Sequence, residues 1–255
     1  MKHCKTHEHG IWAVLNLINE KGFSVSNFES EKYIYDIPAV INMAQMRIFE
    51  RIKNIILLMY MIQKTTQEFI LEDNFKAQKL VFLIQKRFVS KKMNGFSYPF
   101  FRWIKGPFSA SLNSDLVLLK KIGFVRWADD KIELTEDGKD VLENCSELLR
   151  ENKKFLEIID RVVREFGHFS PEEMEEKVYQ MKIFVPKDKK AMRIEQITHK
   201  KVMDGVSGEK SETEFSIRED VFDTLEVLLD NEATDLLRQA QEDAIKGNTV
   251  EFSSI

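Results

Sequence analysis

From Ile48 apolar residues recur at Ile48, Ile52, Ile55, Ile56, Met59 and Ile62, the spacing of three and four that lines one face of a helix. The unbroken apolar run Ile55 to Ile62 is eight residues long, far short of the ~20 needed to span a bilayer, so a buried helix is predicted there. A second pattern at Ala77, Leu80, Val81, Ile84 and Phe88 follows Asn74, read as its cap. Its other face carries Lys76, Lys79, Lys86 and Arg87, which makes a basic amphipathic helix. Pro107 bars regular helix upstream, and Ser109 then caps a helix running to Ile122 and closed by Gly123. Leu112, Leu116, Leu119 and Ile122 face inward in it, leaving Ser111, Asn113, Ser114, Lys120 and Lys121 at polar positions. Two short strands, Phe124 to Trp127 and Lys131 to Leu134, form a hairpin, and Thr135 caps the next helix with Glu136 and Asp137 in its first turn.

Three helices, a hairpin and a helix follow the order of a winged helix-turn-helix, with Ser109 to Ile122 in the recognition position. The fold class expected is therefore mainly α: a helical domain with a winged helix-turn-helix-like core, a small β-hairpin wing and a helical C-terminal arm. Leu148 to Phe166 is predicted as one helix, and Ser170-Pro171-Glu172-Glu173 opens another with Met174, Val178 and Met181 on one face. The polar stretch Asp204 to Glu214 has linker composition. Ser216-Ile-Arg-Glu219 reads as a capping box before a helix with Val221, Leu225, Leu228 and Leu229 inward, and a further helix carries Ala233, Leu236, Leu237, Ala240 and Ala244. Four segments result: an extension over 1–45 with one short helix near Ile11 to Glu20, a domain over 46–183, a linker over 184–215 and an arm over 216–255. Met46 directly precedes the first strong pattern and is an alternative start to Met1.

Charge sharpens this picture. Between Lys76 and Arg126 stand eight lysines and three arginines against one acid, Asp115, a local net of +10 in a chain of net −4. Ile217 to Ile255 holds ten acids and three bases, a net of −7. A polyanion senses the local patch and not the sum, so the basic block suggests nucleic acid, with Lys86, Arg87, Arg102, Lys105 and Arg126 as phosphate contacts beside Ser111, Asn113, Ser114, Lys120 and Lys121. Tyr98, Phe100, Phe101 and Trp103 have two readings, as stacking platforms or as core and hinge packing. The acidic arm, through Val221, Leu225, Leu228, Leu236 and Leu237, is expected to dock in a partner's groove.

Catalytic motifs fail quickly: there is no Gly-rich phosphate loop, His-Glu-x-x-His, Gly-x-Ser-x-Gly or Cys-x-x-Cys. His168 and His199 are isolated, and Cys145 has no evident histidine partner. His3, Cys4, His7 and His9 have the side chains of a zinc or nickel site but sit together at one terminus, whereas structural zinc sites join separated elements, so no metal site is assigned. Two cysteines, Cys4 and Cys145, and a polar Met1 to Gly10 without a secretory core lead to a cytoplasmic expectation.

Lys76-Ala-Gln-Lys-Leu80-Val-Phe-Leu83, then Gly106-Pro107-Phe108-Ser109 with Leu112, Asp115-Leu116 and Leu119 to Gly123, then Leu134-Thr135-Glu-Asp-Gly138, resemble the Panacea family. The likeness runs from Ile48 to Met181 and takes in the Ser170 helix and Tyr179. Where that family commonly has an aromatic residue before Gly-Pro, this chain has Ile104-Lys105. Leu228 to Phe252 is also similar to the C-terminal tails of small type II antitoxins. The resemblance implies a phage- or toxin-associated protein, non-enzymatic and without cofactor, that sequesters a cognate toxin and represses its operon by binding operator DNA. It leaves open a homodimer as the assembly. The alternatives are a transcriptional regulator without a toxin partner and a phage-associated interaction adaptor.

Overall fold

The computed structural model describes residues 37–128, 131–185, 190–197, 202–203, 211–230, 233, 236, 239–240, 242–243 and 245–246, and from Arg47 onward the side chains of all of these but 185, 202 and 220. The chain divides into two units, Met1–Gln45 and Met46–Ile255, and the described side chains all belong to the second. The expected Ile11 to Glu20 helix and the His3/Cys4/His7/His9 cluster lie outside the described residues.

The first pattern is realised in α1 (Ile37–Glu68), which begins before Ile48. Every residue from Ile52 to Ile62 is buried, so this stretch is enclosed on all sides rather than on one stripe. Lys53 is enclosed with it and donates to Glu50 at 2.7 Å and Asn94 at 3.0 Å; burial lowers its pKa against the pull of Glu50. Helix α2 (Asn74–Ser90) is capped by Asp73, whose carboxylate accepts from the Lys76 backbone N–H at 2.9 Å. Asn74 is thus the first helical residue and not the cap, because its neighbour's carboxylate takes the free donor.

No short turn joins α2 to the third helix. The chain instead makes β1 (Met93–Asn94), β2 (Phe100–Trp103) and β3 (Gly106–Phe108) before α3 (Ala110–Lys121). Strand β2 buries Phe100 and Arg102 and turns Phe101 and Trp103 outward, the two-residue alternation of a strand. It pairs antiparallel with β3, Trp103 opposite Gly106. Ile104 and Lys105 form the two-residue tip without a positive φ, and the left-handed value falls on Gly106 at 99°, which glycine adopts because it has no Cβ to clash.

Helix α3 ends at Gly123, φ 84°, and Ser109 accepts from Leu112 N–H at its start, both as expected. Asp115, buried in α3, accepts from the Tyr98 hydroxyl at 3.0 Å and from Arg51 of α1 at 3.1 Å. The hairpin follows as β4 (Val125–Ala128) and β5 (Lys131–Leu134), then α4 (Glu136–Asn144), capped by Thr135. The single helix expected over 148–166 is two, α5 (Ser146–Glu151) and α6 (Lys153–Phe166), divided at Asn152. Helix α7 (Pro171–Tyr179) carries the full capping box at Ser170 and Glu173. Helices α6 and α7 both pack on α2.

The segment read as a linker contributes structure. A hairpin of β6 (Lys182–Val185) and β7 (Lys190–Arg193) leads to a 3₁₀ turn at Ile194–Gln196. Strand β8 (Val202–Met203) then pairs with β2, giving the order β3-β2-β8, and β9 (Thr213–Glu214) pairs parallel with β1. These strands satisfy backbone groups that β1 and β2 would otherwise present bare, a need that polar composition does not reveal. Helix α8 (Glu219–Leu229) starts three residues later than its expected cap. Ser216 is engaged elsewhere: its N–H donates to Asn152 Oδ1 at 2.9 Å and its carbonyl accepts from Asn152 Nδ2 at 2.7 Å. Phe215 and Leu225 are buried in the core, and Val221 and Leu228 pack against it. The apolar face assigned to a partner is therefore taken up by this chain's own core. Leu236 is largely exposed, and the side chain of Leu237 lies outside the described residues. The result is a mainly helical domain with small antiparallel hairpins.

Candidate binding cleft at the Gly-Pro turn

The basic block does not form one solvent-facing patch. Lys76 is buried and donates to the Ile70 carbonyl at 2.7 Å. Lys79, 3% exposed, donates to the Pro107 carbonyl at 2.8 Å. Arg102, 7% exposed, donates to the carbonyls of Ile194 at 3.2 Å and Ile104 at 3.0 Å. Lys86 donates to the Lys182 carbonyl, Arg87 pairs with Glu165, and Arg126 pairs with Glu133. Ammonium and guanidinium groups carry enough donors to serve backbone carbonyls, so a run of bases in sequence can be structural glue.

Of the other expected nucleic-acid contacts, Asn113 accepts from Asn74 Nδ2 at 2.6 Å, and Ser114 donates back to the Ala110 carbonyl. Ser111, Ser114, Lys120 and Lys121 remain exposed on α3, with Lys120 4.8 Å from the centre of the Trp127 ring. Lys105 is exposed, but at the β2–β3 tip. The aromatic segment divides between its two readings: Tyr98 and Phe100 are buried, Phe101 is half-buried and Trp103 is 40% exposed.

Gly106, Pro107, Phe108 and Ser109 are brought to one place by α2. Gln78 Nε2 donates to the Ser109 carbonyl at 3.0 Å and its Oε1 accepts the Ser109 N–H at 2.9 Å. Two turns on, Gln85 makes the same paired contact with Tyr98 at 2.8 and 2.9 Å. Two buried amides on one helix face thus stand in for strand partners on either side of the hairpin. Gly138 sits at the other close approach, where an added Cβ would lie 2.2 Å from the Phe124 carbonyl oxygen.

The hairpin tip is braced from α7. The Tyr179 hydroxyl donates to the Ile104 carbonyl at 2.9 Å, and the Arg102 guanidinium lies 4.7 Å from the Tyr179 ring centre. Between this tip and the first turns of α2 opens a cleft of about 330 Å³, walled by Phe75, Trp103, Ile104 and Phe108, with Lys79 and Lys105 at its edges. The two ammonium groups flank the Phe75 ring, 4.2 and 5.7 Å from its centre. Burial brings the pKa of Lys79 down to about 7; Glu175 and Asp73 oppose this, and Arg102 and Lys105 add to it.

Phe75 and Glu175 carried no signal in the sequence motifs, and Gln78 stood in the Lys76 to Leu83 string without its role, because its partner Ser109 is 31 residues away. Among the described residues no group of three or more His, Cys, Asp or Glu stands close enough to hold a metal ion, and no helix is long and apolar enough to cross a membrane. Buried Cys145 has its pKa raised by burial, the opposite of an activated thiol. Comparisons of the chain with protein-family models, with curated proteins and with solved structures returned no match.

Proposed function

We propose that the chain is a Panacea-like antitoxin, a non-enzymatic module that neutralises a partner toxin by holding it at the β2–β3 tip. The observation that carries this reading is the state of Ile104: its carbonyl is fixed by Tyr179 and Arg102, while its side chain stands 65% exposed beside Trp103. A fixed backbone that presents large apolar side chains to solvent has the character of an interface anchor, since its ordering cost is met before binding. In this reading α1, α2, α3 and the β4–β5 wing make a winged-helix-like core elaborated by the β1–β3 insertion. The test is co-expression with each flanking reading frame. Growth arrest by one of them, relieved by the wild-type chain and not by Ile104→Glu or Trp103→Ala, supports the proposal. Relief that survives both substitutions sinks it.

A second reading, operator binding by α3, is favoured by its exposed Ser111, Ser114, Lys120 and Lys121. Reversal of Lys120 and Lys121 to glutamate is then expected to weaken binding to the promoter fragment and to flatten its salt dependence. Unchanged binding removes this reading.

A further inference from the structure

The cleft has a chemical character beyond being apolar. Its walls are aromatic and aliphatic, through Phe75, Trp103, Ile104 and Phe108, but both of its charged side chains are cations. Among the described residues no carboxylate stands within ion-pair distance of the Lys79 or Lys105 ammonium. The close partners of Lys79 among the described residues are the Pro107 carbonyl and the Phe75 ring, which leaves donor capacity unused on a desolvated group. The cleft also meets the first turn of α2, a helix of 17 residues, where the backbone dipole adds positive potential. The acids that face Lys79 are Glu175 of α7 and Asp73, and the Asp73 carboxylate is occupied in capping α2.

We propose that this cleft takes a short acidic segment of a partner protein, with a large apolar side chain entering between Phe75 and Trp103 and an adjacent carboxylate meeting the ammonium groups of Lys79 and Lys105. A carboxylate there supplies the counter-charge that the buried Lys79 lacks, with exposed Lys105 beside it, and the aromatic walls cover the apolar side chain. The size agrees: about 330 Å³ lies at the lower end of ligand clefts of ~300–1,000 Å³, enough for a side chain and its neighbour and too small for a whole helix face. This rests on reading the β2–β3 tip as a partner-binding site, and it adds the partner's chemistry.

The test uses the full chain and two labelled peptides, identical except that one carries Glu-Phe-Asp at its centre and the other Gln-Phe-Asn, with binding followed by fluorescence polarisation. The acidic peptide is expected to bind about tenfold tighter or more, the ratio given by one or two charge-assisted contacts. Lys79→Met should reduce that ratio. Lys105→Glu, at an exposed turn position where folding is not at stake, should abolish or reverse it. Equal affinities, failure of both peptides to bind, or a preference that persists in Lys105→Glu would each overturn the proposal. The two readings fail separately. Toxin relief that depends on Ile104, without a preference for the acidic peptide, removes only the acidic-segment chemistry. A Lys105-dependent preference without any toxin removes only the antitoxin role.

Discussion

Gln78 and Ser109, 31 residues apart, exchange two hydrogen bonds in the interior, so that one side-chain amide completes the backbone pairing of the residue that opens α3. Truncation of Gln78 to alanine leaves the buried Ser109 N–H without a partner, while the Ser109 carbonyl keeps the Asn113 backbone N–H at 3.1 Å. The expected cost is about 1–3 kcal/mol, the worth of one unsatisfied buried donor. Urea denaturation checks it. Gln85→Ala should behave alike at Tyr98, and the two costs should add to within ~0.5 kcal/mol, because the amides share no partner.

Lys79 makes stability depend on pH. Its folded pKa of about 7 lies below the ordinary 10.5, so between these values the unfolded chain binds more protons and stability rises with pH. The contribution is fully present above 10.5 and is lost as pH falls through about 7. Glu175, Asp73, Arg102 and Lys105 face the same ammonium and set where the transition falls. Denaturation midpoints measured between pH 7 and 9 are expected to show a slope of up to about 1.4 kcal/mol per pH unit that Lys79→Met removes. Identical slopes in the two proteins would refute the assignment.

Gly106 and Gly138 resist side chains for different reasons. At Gly106 the φ of 99° strains any L-residue, and a Cβ would meet Lys79 Cε at 3.4 Å. Gly106→Ala should cost about 1–2 kcal/mol and weaken binding at the cleft. At Gly138 the obstacle is the Phe124 carbonyl, which is backbone and cannot swing aside. Gly138→Ala is expected to destabilise by about 3 kcal/mol without altering the tip. Thermal denaturation of both, alongside peptide binding, separates the two effects.

Asn152 ties the chain before α8 to the break between α5 and α6 through its paired contact with Ser216. In Asn152→Ala, hydrogen exchange across 216–229 should accelerate about tenfold or more, as local opening becomes easier by the worth of one or two hydrogen bonds. Exchange in α2 should stay near wild type. Uniform acceleration through both helices would show that α8 is not a separate opening unit.

Features that depend on neighbouring residues were legible in the sequence: the periodicity of α2 and α3, the caps at Ser109, Thr135 and Ser170, the stop at Gly123 and the hairpin after Phe124. Each is decided within a turn or a strand, where propensity and pattern operate. The resting place of the charges was not legible. Lys79 is internal because Pro107 offers it a carbonyl, Arg102 because Ile194 does so from 92 residues away, and Leu225 because the core has room for it. A sequence states that a side chain is cationic or apolar; which remote carbonyl, ring or core face satisfies it is settled by packing. Local pattern therefore set the helices, the hairpin and the Gly-Pro motif. Packing turned Lys76, Lys79 and Arg102 of the basic block into internal supports and left a cleft at the motif, because desolvated polar groups must find partners wherever the fold provides them.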